Sequence, residues 1–101
     1  MITTQVQGAV GTIKVNGRFT FEDHIPFKIC VNTILEGHWI TEIDMDLSEA
    51  TYMDSNALSM LIALRDKAQA KKISVKLVKP SVSIRTILDM VQFDTIFTIV
   101  S

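Results

Sequence analysis

The sequence predicts an α/β fold: a single mixed β-sheet with an N-terminal hairpin and helices packed on it. Segments with alternating apolar and polar residues, typical of half-buried strands, are interspersed with segments of helical apolar spacing. Residues 2–7 and 10–15 alternate and are joined near Gly8 and Gly11, which indicates an antiparallel hairpin. The later strands are separated by helices, which favours parallel pairing and the order ββαβαβαβ. A length of 101 residues predicts one domain, 1–101.

The first helix is predicted to begin near Phe21–Asp23, after Asn16-Gly17 ends the second strand. Thr20 is its candidate N-cap, and the acidic residues that follow favour a helix start. Pro26 must lie in the first turn, because proline is not tolerated further inside a helix. Gly37 is the predicted stop. Near-helical spacing predicts an apolar face made of Ile25, Ile29 and Ile34.

The rest of the chain alternates strands and helices. The predicted elements are a strand over Thr41–Leu47, a helix over Ser55–Lys71, a strand over Ser74–Lys79 ended by Pro80, a helix opened by Ser81 and a strand over Phe97–Val100. The segment between the first of these strands and its helix is predicted to be a short polar crossing. The long helix is predicted to pack through Leu58, Leu61, Ile62, Arg65 and Ala68, with Ala57 and Leu64 beside them. The last helix is predicted to pack through Ile84, Ile87, Leu88 and Val91.

Composition excludes several classes of function. The net charge of −1 gives no basic surface for nucleic acid or for an anionic membrane. No apolar stretch approaches the roughly 18 residues that a spanning helix needs. The N-terminus lacks a basic segment followed by an apolar run, so no signal peptide is expected. The prediction is therefore a cytoplasmic protein without direct membrane insertion.

Few residues offer chemistry. Cys30 is alone, so no internal disulfide forms, and its apolar surroundings predict a buried, inert thiol. No cluster has metal-ligand spacing, no glycine-rich phosphate loop is present, and no nucleophile–base pair supports an enzyme. Neither a metal nor a cofactor is therefore expected. Asp44, Asp46 and Asp54 could suggest a phosphoacceptor receiver domain, but the initial hairpin and the absence of a strand-end lysine in the right place argue against it.

The segment of residues 45–70 runs from a strand through the polar crossing into an amphipathic helix, and Asp54-Ser55 lies at the helix start. A hydroxyl there lies beside unpaired backbone N–H groups, where an added phosphate would be stabilised. The same pair is also typical of an ordinary N-cap. Leu58 stands where a capping box would need Glu or Gln. Considered alone, the pair leaves both interpretations open.

The surroundings of this pair resemble the signature of STAS domains, the anti-sigma factor antagonist family. The string of residues 46–58, DLSEATYMDSNAL, carries the resemblance. It continues in residues 15–19, VNGRF, which are similar to the family's second strand and its exit into the first helix. It extends to residues 76–88, KLVKPSVSIRTIL, which are similar to the fourth strand and third helix. Nearly the whole chain is covered, and the family fold has the order ββαβαβαβ.

The resemblance implies that Ser55 matches the serine phosphorylated by a partner kinase, and that Asp54 matches the acid before it. Asn56 replaces the usual Ser or Thr, and Ala57 replaces the commoner Gly, within a motif that ends at Leu58. It further implies a partner-binding face around the phosphorylated serine. The implied contacts are Gly17, Arg18, Phe19, Thr20, Met53, Asp54, Ser55, Asn56, Ala57 and Leu58.

The implied function is that of an anti-sigma factor antagonist in a partner-switching pathway. The unphosphorylated protein would bind a serine kinase, anti-sigma factor or similar switch protein, and phosphorylation would release it. A PP2C-type phosphatase would reset the switch. The alternative is a constitutive STAS subunit of a lipid-transport ABC complex, in which no serine is modified.

Overall fold

The computed structural model describes residues 1–101 and forms a five-stranded mixed sheet, a two-stranded parallel sheet and three α-helices. In chain order the elements are β1 (Ile2–Gln7), β2 (Val10–Val15), β3 (Gly17–Phe19), α1 (His24–Leu35), β4 (Glu42–Asp46), β5 (Ala50–Met53), α2 (Ser55–Ala70), β6 (Ser74–Val78), α3 (Val82–Met90) and β7 (Thr98–Val100). The large sheet has the order β1-β2-β4-β6-β7; β1 is antiparallel to β2, and the other neighbours are parallel. The predicted fold class is confirmed.

The predicted order ββαβαβαβ did not include two short strands, β3 and β5. The crossing predicted to be irregular contains β5, which pairs in parallel with β3 just after the hairpin. β3 has three residues and β5 has four, and β5 is buried only at its two ends. Neither strand therefore shows the sustained alternation by which a strand is recognised in a sequence.

A single apolar core lies between one face of the large sheet and the helices. Along β2 and β4 every second residue is fully buried, namely Ile13, Val15, Ile43 and Met45, and the residues between them are half-buried. These four side chains belong to one cluster of 23 buried residues, all of them hydrophobic, to which all three helices contribute. The opposite face of the sheet carries mostly polar and charged side chains, with Val10 and Val78 among them, whereas all three helices pack on the core side.

The predicted apolar face of α1 was wrong in part. Ile25 and Ile29 are 65% and 60% exposed, whereas Phe27, Val31 and Ile34 are buried. A 3₁₀ turn over Phe21–Asp23 precedes the helix, with the predicted cap Thr20 accepting from Glu22 N–H at 3.3 Å. The helix therefore starts at His24, in a phase that turns Ile25 and Ile29 outward.

The predicted faces of α2 and α3 need smaller corrections. In α2, Leu61 and Ala68 are buried as predicted, but Ile62 is exposed and Arg65 is half-buried. The Arg65 Nε donates to the Ile96 carbonyl at 3.0 Å, and Ala57 and Leu64 complete the buried face instead. In α3, Ile84 and Leu88 are buried and Ile87 is half-buried, whereas Val91 lies beyond the helix end and is exposed.

Cys30 is half-buried rather than buried, because it lies at the border between the inner and outer faces of α1. Burial raises the pKa of the Cys30 thiol. The thiol therefore stays protonated near neutral pH, which keeps its nucleophilicity low.

The uncovered face of the sheet holds a tight group of charges. The Lys76 Nζ lies 3.0 Å from Glu42 Oε1, and Asp44 lies opposite Lys76 in the β4–β6 register. The Asp44 Oδ1 is buried and accepts no hydrogen bond. Burial and the neighbouring Glu42 carboxylate raise the pKa of Asp44 to about 6. The group is therefore a site where the folded protein holds a proton more tightly than the unfolded chain does.

This proton determines a pH dependence of stability. Because the pKa of Asp44 is raised from 3.8 to about 6 on folding, the folded state binds more protons in that window, and the Asp44 contribution to the free energy of unfolding falls as pH rises through it. We expect Asp44→Asn to stabilise the protein near neutral pH by about 1 kcal/mol and to have little effect at acid pH. Thermal melts across this pH range measure the effect.

Asp46→Asn is the matched control on the same strand. Burial alone would raise the pKa of Asp46, but hydrogen bonds from the Ser48 backbone N–H and hydroxyl, at 3.0 and 2.7 Å, hold it below its usual value. Asp46→Asn should therefore destabilise near neutral pH, with the opposite sign. A loss of stability in Asp44→Asn at neutral pH would contradict the assignment.

Candidate functional site

The short sheet of β3 and β5 brings together the two segments predicted to form the partner-binding face. Arg18 lies opposite Tyr52 and Phe19 opposite Met53 in the parallel register. A backbone hydrogen bond flanks the pairing at each end: the Gly17 N–H donates to the Glu49 carbonyl at 2.9 Å, and the Asp54 N–H donates to the Phe19 carbonyl at 3.3 Å. The Gly17–Thr20 segment and the start of α2 are therefore neighbours, although more than 30 residues separate them in the chain.

Asp54 joins the two segments through its side chain. One carboxylate oxygen, Oδ1, accepts the Ala57 N–H at 2.8 Å and caps α2. The other, Oδ2, accepts the Phe21 N–H at 3.1 Å and holds the entry into α1 against the start of α2. Partial burial tends to raise the pKa of Asp54, but these hydrogen bonds outweigh it and hold the pKa below its usual value. The carboxylate is therefore charged at neutral pH and fixed in position.

Ser55 is the first residue of α2, and it is exposed. The first amides of a helix lack carbonyl partners within it, and here the Asp54 cap accepts the Ala57 N–H. The next residue, Asn56, is exposed, whereas Ala57 is fully buried and Leu58 is half-buried against the core. The motif therefore presents a hydroxyl and an amide outward, and its apolar half anchors the turn.

Three of the predicted partner contacts, Phe19, Met53 and Ala57, belong to the core instead. Phe19 is fully buried and stacks in a tilted pair on Phe27, with ring centroids 5.2 Å apart. Met53 is 3% exposed. Inward-facing positions of short strands are occupied by such apolar side chains, because the strands must pack on the core. Phe19 and Met53 therefore pack beneath the site, and their side chains expose almost no surface that a partner could contact.

Two exposed aromatic residues of the site, Tyr52 and Phe21, were not among the contacts that the sequence indicated. The Arg18 guanidinium carbon lies 4.7 Å from the centroid of the half-exposed Tyr52 ring, a cation–π arrangement. Phe21 is 63% exposed, and its ring stacks on His24 at 5.9 Å. An aromatic residue directly after the cap Thr20 is the signal that could have indicated this surface.

A shallow groove of about 420 Å³ lies next to Arg18 and Phe21 and reaches Asp54, the residue before Ser55. Its lining is Arg18, Thr20, Phe21, Glu22, Asp23 and Asp54. The Thr20 N–H donates to the Asp23 carboxylate at 3.0 Å, completing a capping box that orders the segment. Three carboxylates against one guanidinium make the local surface acidic.

Side chains at the start of α3 contact the backbone of β5, which pairs with β3 along its other edge. The Ser81 hydroxyl donates to the Ala50 carbonyl at 2.8 Å while it caps α3 by accepting the Ile84 N–H at 3.4 Å. The Ser83 hydroxyl contacts the Thr51 carbonyl at 3.4 Å. β5 is thus fixed along both edges, and the turn that carries Ser55 starts from a rigid strand.

The chain contains no group of three His, Cys, Asp or Glu side chains placed to hold a metal ion. None of its helices is long and apolar enough to cross a membrane.

The family model of the STAS domain matches residues 1–101. This chain belongs to the STAS domain family. A STAS-domain containing protein of Pseudomonas aeruginosa (strain UCBPP-PA14) is 37% identical over 90 residues, which are 87% of this chain and 85% of the relative.

Solved structures share the STAS fold at low sequence identity. A putative anti-sigma factor antagonist from Thermotoga maritima superposes with a TM-score of 0.86 at 20% identity, covering 99% of this chain and 86% of its own. The Bacillus cell fate determinant SpoIIAA in its phosphorylated form superposes with a TM-score of 0.75 at 14% identity, covering 100% of this chain and 92% of its own. These likenesses establish that the site lies on a STAS framework.

The two hydrogen bonds of Asp54 predict a graded series of stabilities. Asp54→Ala removes both and should lower the free energy of unfolding by about 1–2 kcal/mol. Asp54→Asn leaves a single oxygen, which can accept from Ala57 or from Phe21 but not from both, so its loss should be smaller. The exposed Ser55→Ala should change stability by no more than about 0.5 kcal/mol. Urea denaturation measures all three; an Asp54→Ala protein as stable as wild type would show that the carboxylate does not hold the site.

Proposed function

We propose that this STAS domain is a phosphorylation-controlled anti-sigma factor antagonist, a non-enzymatic binding module in a partner-switching pathway. It binds a serine kinase/anti-sigma factor or a related regulatory protein when Ser55 is unphosphorylated, and phosphorylation of Ser55 releases that partner. A PP2C-type phosphatase restores the binding form. The observation that carries the proposal is the exposed Ser55 hydroxyl at the start of α2, on a turn fixed by Asp54. The likeness to SpoIIAA, whose structure is known in a phosphorylated form, supports it.

The fold is suited to carry a phosphate at this position. Ser55 is exposed, so a phosphoryl group adds no bulk to the core. A phosphoserine carries about −1.5 to −2 charges at neutral pH, and the N-terminus of a helix stabilises negative charge. The carboxylates of Asp54, Asp23 and Glu22 oppose it, but they lie at the surface, where water and salt weaken the repulsion. The modified protein should therefore stay folded.

The complex is more sensitive to the phosphate than the fold is. A partner shaped to close over a small hydroxyl would meet a larger, doubly ionised group, which has to be desolvated in the interface. A loss of about 3–4 kcal/mol weakens binding by about two to three orders of magnitude. A change of this size releases most of the domain when the partner concentration lies near the dissociation constant of the unphosphorylated form.

Paired baits test this function. We expect Ser55→Ala protein to capture a kinase-like or anti-sigma partner from native lysate, and Ser55→Asp protein to lose it, by mass spectrometry. With the purified partner, the dissociation constants should differ by about 100-fold or more. Ser59→Asp, exposed one turn further along α2, is the matched control because it adds the same charge to the same helix.

Three outcomes contradict the proposal. Equal capture by the Ser55→Ala and Ser55→Asp baits would reject Ser55 as the control point. Capture of a transporter ATPase by both baits would instead support the alternative, a constitutive subunit of a lipid-transport ABC complex. Loss of binding in Ser59→Asp as well would mean that the charge of α2 matters and that position 55 has no special role.

A further inference from the structure

A second surface lies between α1 and α2, along their flanks. It is a groove of about 180 Å³, with a volume on the order of one large apolar side chain. Phe27, Val31 and Met60 contribute to its apolar floor, and His24, Lys28 and Lys67 contribute polar groups. A neighbouring depression shares Lys67 with the groove and continues it toward the C-terminal end of α2, where Lys71 and Glu36 take part.

The lysines of this groove have no acidic partner within the chain. The ion pairs of the protein engage Arg65, Lys76 and Arg85, and neither Lys28 nor Lys67 takes part in one. Both residues are exposed. A chain with a net charge of −1 therefore places two unpaired ammonium groups beside an apolar floor. Such a surface attracts a ligand that is apolar and acidic at once.

The apolar surface extends beyond the groove on α1. Ile25 is 65% exposed and Ile29 is 60% exposed. Ile25 is an i,i+3 neighbour of Lys28 on the helix surface, so apolar groups lie on both sides of that lysine. These two exposed isoleucines enlarge the apolar surface beside the groove that a partner could cover.

We propose that the α1–α2 groove binds an acidic amphipathic helix of a protein partner. The seam between two packed helices is the surface onto which a third helix lays its apolar face. One apolar side chain of the partner enters the groove over Met60, and carboxylates one turn away on the partner pair with Lys28 and Lys67. This site does not depend on the function proposed for Ser55. Lys67 is twelve positions further along α2, about 18 Å along the helix axis.

A labelled peptide pair tests the groove by fluorescence anisotropy. The first peptide is a designed amphipathic helix with leucines at positions i, i+3, i+4 and i+7 and glutamates beside them; the second has lysines in place of the glutamates. We expect wild type to prefer the glutamate peptide, and the double variant Lys28→Glu/Lys67→Glu to bind it about tenfold or more weakly. The double variant should in turn bind the lysine peptide better than wild type does.

Two further variants separate charge from shape. Ala63→Trp fills the groove without changing charge, since Ala63 is exposed on its lining, and should abolish binding of the glutamate peptide. Lys79→Glu changes the charge at an exposed site outside the groove and should leave binding unchanged. Thermal melts of each variant confirm that it is folded, so that a loss of binding reports on the groove.

Three results would overturn this proposal. The first is no binding of the glutamate peptide by wild type at concentrations up to about 1 mM, and the second is equal affinity of wild type for the two peptides. The third is that the folded double variant binds the glutamate peptide as well as wild type does. Binding of a medium-chain fatty acid in place of the peptide would show that the groove takes a small amphiphile. Ser55→Asp should bind the glutamate peptide as wild type does, so failure of the groove and failure of the Ser55 switch give different results.

Discussion

The carboxylate of Asp54 is the interaction on which the site depends, because it satisfies two backbone N–H groups from different parts of the chain. Its bond to Ala57 starts α2, and its bond to Phe21 fixes the segment that leads into α1. Both bonds require the charged form, and they lower the pKa of the group that makes them. Ser55 follows directly in the chain, so its place relative to the β3 segment is determined by this side chain together with the backbone bond from the Asp54 N–H to the Phe19 carbonyl.

The large sheet was predictable because its strands alternate and its hairpin has glycines at the turn, but the packing of α1 was not. Its sequence contains two apolar sets at helical spacing, Ile25 with Ile29 and Phe27 with Val31. Periodicity shows that the members of each set share a face, but it cannot show which face meets the sheet. The pairing of β3 with β5 was also hidden, since its strands are short and pair only with each other.

The site itself was predicted through its motif, and the structure shows why the motif alone was insufficient. Asp54 and Ser55 could be recognised as a helix start from local chemistry, but the bond from Phe21 to Asp54 spans 33 positions. Phe19 and Met53 belong to the same segments as the exposed residues, yet their side chains point into the core. A linear motif marks a stretch of chain, whereas a surface is made by alternate residues of several stretches.

Helix α2 separates the charges of the protein into two regions. Its N-terminal turn lies among the carboxylates of Asp54, Asp23 and Glu22, whereas its flank carries the unpaired ammonium group of Lys67 opposite Lys28. The net charge of −1 conceals this division, because opposite local surfaces cancel in the sum. A partner that covered both regions would need cationic groups over the turn and acidic groups along the flank. A phosphate at Ser55 would add negative charge at the acidic end and deepen the contrast between the regions, whereas Lys67, about 18 Å further along the helix axis, would be largely screened from it.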